Sequence, residues 1–190
     1  MKKFLKLIAV ATAFAASAVS LTAPVGAYEL FGPYKLIGDL SETTVFFYGD
    51  SFAQQYASKT MLGAMSWIGC PDVELYWTHV TTPTTYTVKV DFGDLASHVI
   101  ASTSFYYHHS QYNNIEYEPN EHNWDNCTIW LNESLNISYT TMIHEFGHVY
   151  GLAHSNDDPT SIMCQTAYGR TATAPSADDF AGIASNYNNN

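Results

Sequence analysis

Between Ser138 and Ser155 the chain reads SYTTMIHEFGHVYGLAHS, and this string restricts the fold more than any other in the 190 residues. On a helix of 3.6 residues per turn, residues four apart share one face, so the imidazoles of His144 and His148 can reach one metal ion. Glu145 falls beside that pair. A carboxylate there is poorly placed to complete the same coordination shell and well placed to take a proton from a water at its open position. His154 stands six residues beyond His148, where a straight helix would carry it away from the other two. Gly151 removes that obstacle, because glycine takes left-handed backbone angles at little cost and commonly ends helices, so the chain can turn there and bring His154 back under the site. The spacing predicts a largely buried helix, with Met142, Ile143, Phe146 and Val149 packing its other sides. It offers three imidazoles to one Zn2+ and leaves the fourth position open beside a carboxylate, the pattern of a catalytic site.

The string His144-Glu145-x-x-His148-x-x-Gly151-x-x-His154 resembles the signature of the metzincin clan of zinc endopeptidases. Met163, in Ser161-Ile162-Met163 nine residues after His154, is similar to the clan's turn methionine, an apolar floor beneath the metal ligands. Ser155, directly after the third histidine, looks like the matrixin (matrix metalloproteinase-like) choice. Ser176-Ala177-Asp178-Asp179 with Ile183 and Tyr187 is similar to the closing helix of matrixin catalytic domains. The resemblance implies an α+β, zincin-like fold: a mixed, twisted sheet with two long helices in an N-terminal lobe, and a small C-terminal lobe after Gly151 with the Met-turn and closing helix. It implies one catalytic Zn2+ on His144, His148 and His154, Glu145 as general base, Gly151 and Met163 as structural support, and protein or peptide substrates, in a small secreted bacterial form. Tyr168 falls by position at the substrate pocket. Gln165 stands where astacins carry a tyrosine ligand, and Cys164-Gln165 replaces the usual matrixin Tyr-Pro, so neither feature carries over.

In the region matching residues 106–126, matrixins hold structural Zn2+ and Ca2+. The residues available here are His108, His109, Glu116, Glu118, Glu121, His122 and Asp125. They do not match the family's ligands one by one, and a solvated polar loop is the simpler expectation beside that of a second metal site.

Residues 1–27 begin with Lys2, Lys3 and Lys6, continue through an alanine-rich apolar run and end in Val25-Gly26-Ala27, the pattern of a secretory signal peptide. An exported protein starting near Tyr28 is expected, with no membrane association after cleavage, since no later stretch is apolar enough to span a bilayer. Removing that segment takes three of the seven basic residues and none of the 18 acidic ones, so the formal charge moves from -11 to -14. Such a chain repels nucleic acid, and Lys35, Lys59, Lys89 and Arg170 form no patch. The 163 residues left suffice for one domain, 28–190, expected to be a monomer. Cys70, Cys127 and Cys164 permit one disulfide in any of three pairings. Gly69-Cys70-Pro71-Asp72 is loosely similar to the matrixin latency switch, but a structural cysteine is the better reading.

Residues 28–42, with Gly32, Pro33 and Gly38, read as an irregular leader. Strands are expected at 43–48, 73–80, 85–92, 98–107 and 128–132. A helix from Gly49-Asp50-Ser51 to about Trp67 should bury a stripe of Phe52, Tyr56, Met61, Leu62 and Met65. Two other functions fit parts of the pattern: a secreted binding or adhesion module with structural zinc, and a zinc hydrolase acting on something other than peptides.

Overall fold

The computed structural model describes residues 28–38, 40, 43–47, 50–71, 73–82, 87–107 and 115–188. The proposed signal segment 1–27, and His108 and His109, lie outside them.

Val45, Val88, Val90, Ile129 and Leu131 are fully buried, and these β-branched and aliphatic positions mark the middle of a six-stranded sheet in the order β2-β1-β3-β6-β4-β5. Its strands are β1 (Thr44–Phe47), β2 (Thr78–Val80), β3 (Thr87–Phe92), β4 (Ala101–Tyr107), β5 (Ile115–Tyr117) and β6 (Asn126–Leu131). β2, β1, β3 and β6 run parallel, while β4 is antiparallel to both β6 and β5. The mixed sheet is packed by two long helices, α1 (Asp50–Met65) and α2 (Tyr139–Val149), and α3 (Ala177–Asn188) closes the smaller part of the chain beyond Gly151. This is the α+β architecture expected from the sequence. No helix of the described residues is long and apolar enough to cross a membrane.

Several local expectations are corrected. Of the strand expected at 73–80 only Thr78–Val80 joins the ladder; Leu75 and Trp77 are buried, but Tyr76 N donates to Leu40 O instead of to a strand. β4 starts at Ala101, not His98, because Asn132 Nδ2 donates to the carbonyls of Ala96 and Val99 and holds a turn there. β5 forms inside the segment read as loop. Helix α1 buries Tyr56, Thr60 and Ala64, while Leu62 and Met65 are 57% and 52% exposed. The reason is the neighbour at Gly63: a Cβ there would meet Met142 Cβ at 2.6 Å, so α1 and α2 cross at a contact that admits only small residues. The three cysteines are buried thiols, and no disulfide joins any two of them. Cys70 Sγ lies 3.6 Å from Phe180 O on α3.

Residues 28–38 form no long helix or strand, yet they are tightly held. Leu30 forms an antiparallel bridge with Leu152 and Leu36 a parallel one with Trp124. Phe31 N donates to Gly151 O and Ala153 N to Glu29 O. Farther along, Lys35 Nζ donates to Asn186 O and Tyr187 OH to Leu36 O. Residues 28–37 thus form a strap across the turn after α2, pinned also to α3.

Candidate metal centre

Helix α2 starts where its sequence provides a cap: Ser138 Oγ accepts from Thr141 N at 3.1 Å. All nine residues from Thr141 to Val149 are buried. The indoles of Trp67 and Trp124 donate to its carbonyls at Ile143 and Val149, each at 3.0 Å. Gly151 has φ 96°, a left-handed angle at the end of the helix that redirects the chain toward His154. The nitrogens of His144, His148 and His154 that could ligate a metal lie within 4.8 Å of one another.

The donor set fits zinc. His144 Nδ1 and His148 Nδ1 lie 2.8 Å from the carbonyl oxygens of Ile162 and Leu152, so both must carry their proton on Nδ1 and present Nε2 as a lone pair. Yet Nε2 of His148 is 3.2 Å from Nε2 of His144 and 3.2 Å from that of His154. Two acceptors facing each other at that distance repel unless a cation lies between them, and a tetrahedral ion with Zn–N bonds of roughly 2.0–2.1 Å sets its ligand nitrogens about 3.3 Å apart. Burial favours the neutral form that ligation needs. It lowers the pKa of His144 well below 6.5, with His148 adding to the shift, and takes His148 to about 3; His154, half-buried, is also lowered by burial.

Glu145 lies beside the triad, 4% exposed. Burial raises its pKa to about 7 against the opposing hydrogen bond of Thr103, whose hydroxyl donates to Glu145 Oε2 at 2.7 Å. Met163 packs its sulfur against Gly147 of α2. Its turn is braced from α3: Asp179 accepts from Ser161 Oγ at 2.6 Å, from Ile162 N at 3.2 Å and from Ser176 N at 2.7 Å. Ser155 is buried and donates its N–H to Met163 O.

A cleft of about 960 Å³ opens over the three histidines and Glu145, lined by residues of β4 and by Gln165, Thr166, Ala167 and Arg170. Tyr168, expected at the pocket, is 61% exposed and is not among the lining residues, since the short 3-10 turn Thr166–Tyr168 directs it outward. Sequence reasoning missed Thr103, Arg170 and Phe31, which all line the cleft. Phe31 packs against the His148 ring at 5.5 Å between centroids. Only Arg170 left a trace in the sequence, as an isolated cation seven residues after Met163. Glu116, Glu118 and Glu121 line the cleft's rim. Among the described residues, the histidine triad is the only group of three or more metal-ligating side chains this close together.

A mixed sheet backed by a buried helix, with imidazoles converging beside a carboxylate over a methionine turn, describes a zinc-dependent metalloprotease. The family model described as Matrixin matches residues 72–188. The chain belongs to the matrixin family. No curated protein matches the chain by sequence. Among solved structures, it is similar to high choriolytic enzyme 1, a hatching enzyme zinc-protease from Oryzias latipes, at 11% identity over 82% of this chain and 94% of that one, with a TM-score of 0.50. Myroilysin is similar at 21% identity over 85% and 98%, TM-score 0.45. A chain of the GM1-bound ECX AB5 holotoxin is similar at 14% identity over 84% and 83%, TM-score 0.47.

Proposed function

We propose that the chain is an exported endopeptidase in which His144, His148 and His154 hold one Zn2+ and Glu145 is the general base. The observation that carries this reading is the convergence of three Nε2 atoms beside a buried carboxylate that makes no ion pair among the described residues. A zinc ion held there would lower the pKa of a water molecule toward about 7 and polarise a peptide carbonyl. Glu145 takes the proton of the attacking water and delivers it to the departing amine nitrogen, its Oε2 kept in place by Thr103. Its burial raises the carboxyl's proton affinity, which favours a group that must accept a proton.

Peptides suit the cleft. β5 pairs with β4 only at Phe105 to Tyr107, so the outer edge of β4 from Ala101 to Ser104 has no partner strand among the described residues and can take an extended chain by strand addition. A purely structural zinc would ask for a fourth protein ligand, and no further side chain joins the triad among the described residues. Export rests on the sequence of residues 1–27, and residues 28–190 are read as one monomeric catalytic domain. The test is Glu145→Gln. Zinc should remain at one ion per chain while chelator-sensitive cleavage of a denatured protein falls by about 10²–10⁴-fold. Wild-type turnover by that variant would refute the role.

A further inference from the structure

Arg170 is the only lysine or arginine lining the cleft among the described residues. The other described cations are occupied elsewhere: Lys35 bonds Asn186 O, Lys59 bonds Ile137 O and Lys89 pairs with Asp91. Arg170 is anchored at two points. Nη1 donates to Ile162 O at 3.2 Å and Nη2 to Thr166 Oγ1 at 3.2 Å. Ile162 O is also the partner of His144 Nδ1, so the guanidinium sits one carbonyl away from an imidazole of the triad. Its charge reaches the site: it helps depress His144 and His154 and draws Glu145 downward.

A guanidinium carries five N–H donors, and these two bonds leave most of them uncommitted. Arg170 makes no ion pair among the described residues, although it is partly buried and always charged. A half-desolvated cation with idle donors is costly, and a carboxylate is the ligand that matches its fork. Glu145 does not fill that role: its Oε2 accepts from Thr103, and although the two charges act on each other, no ion pair joins Glu145 to Arg170. The chain is strongly acidic, which makes one cation lining the cleft the exception in its field.

We propose that Arg170 is a specificity-determining residue, whose guanidinium binds the side-chain carboxylate of an aspartate or glutamate flanking the scissile peptide bond. This rests on the endopeptidase reading above. Because Arg170 and the triad line one cleft and share the Ile162 carbonyl, a peptide with its reacting carbonyl at the triad brings a side chain next to that bond within reach of the guanidinium. If Arg170 served only to brace the methionine turn through Ile162 O, its loss would change metal content and thermal stability but not the choice between acidic and neutral substrates.

The experiment uses pairs of peptides with both termini blocked, identical except for Asp against Asn or Glu against Gln at a residue flanking the cleaved bond. The ratio of kcat/KM within a pair is independent of how much enzyme is folded or metal-loaded. The wild-type enzyme should favour the acidic member at one flanking position by about 10- to 100-fold, and Arg170→Gln should bring that ratio to about one. Arg170→Lys should keep part of the preference, because it retains the charge and loses the fork. A wild-type ratio near one, or a ratio untouched in Arg170→Gln, overturns the assignment, and the wild-type ratio decides even if the variant does not fold. Cleavage of no peptide in any pair would sink the endopeptidase reading and this inference with it; cleavage of both members equally sinks this inference alone.

Discussion

Asp179→Ala should disable the site from a distance. Asp179 is 2% exposed and accepts three hydrogen bonds, from Ser161 Oγ, Ile162 N and Ser176 N. Asp179 N in turn donates to Ser176 Oγ, so the two residues form a reciprocal cap at the start of α3. Truncation strands two buried donors and one partly buried one, at about 1–3 kcal/mol for each buried donor before relaxation. Bonds to a carboxylate lie at the strong end of that range, and partial rearrangement brings the net cost to about 3–5 kcal/mol. For a chain of this size each kcal/mol moves the melting point by about 2–4 °C, so a fall of roughly 10 °C is expected. The metal centre should suffer as well, because Ile162 O, which fixes His144, sits in the braced turn; zinc affinity should drop by about 10- to 100-fold. Asp179→Asn provides the control. Its amide oxygen can keep both backbone donors, and the Ser161 hydroxyl can turn to accept from the new NH2, so the cost should stay near 1 kcal/mol. Calorimetry with and without zinc, together with a competition titration against a chelator, measures both quantities. The reasoning fails if Asp179→Ala melts within about 2 °C of wild type, or if Asn is as damaging as Ala.

Three further outcomes are expected. Because the histidine pKa values are depressed by burial, the unfolded chain binds more protons than the folded one at acid pH. The metal-free fold should therefore lose stability as pH falls below about 6.5, and zinc should be displaced below roughly pH 5; a thermal and metal-content profile flat to pH 4 would contradict it. Thr103→Val removes the hydroxyl that fixes Glu145 Oε2 and should lower kcat by about 10-fold with little change in KM, while Thr103→Ser restores it; equal rates for all three would show that the bond has no part in turnover. Gly63→Ala forces a Cβ against Met142 at 2.6 Å, so instead of the usual gain for replacing a helical glycine it should cost about 1–3 kcal/mol in chemical denaturation, and a stabilised variant would refute the close crossing.

What could be read from the sequence was mostly local. The cap at Ser138, the helix through His148 and the turn at Gly151 each follow from a few neighbouring residues, and the sheet's central strands announce themselves through Val88, Val90, Ile129 and Leu131. The misreading of α1 has a clear cause: periodicity favoured Leu62 and Met65 as core, but the close approach at Gly63 rotates that helix so that Thr60 and Ala64 face inward. Thr103, Arg170 and Phe31 could not be found this way. Thr103 lies 42 residues before the carboxylate it bonds, and Arg170 and Phe31 meet the triad only through the methionine turn and the strap. The same limit applied to the cysteines, whose count allowed a pairing that their separate burial sites do not make.

The strap has a consequence for the order of events during synthesis. Residues that emerge early, Lys35 and Leu36, find their partners 151 positions later, at Asn186 and Tyr187. The strap's bonds to Gly151, Leu152 and Trp124 can form sooner, but until that last stretch has left the ribosome its anchors on α3 are missing, and long-range closures of this kind form late because their entropy cost comes before the contacts that offset it. The strap is therefore fully fastened only when α3 is in place, which makes its closure one of the last steps of folding.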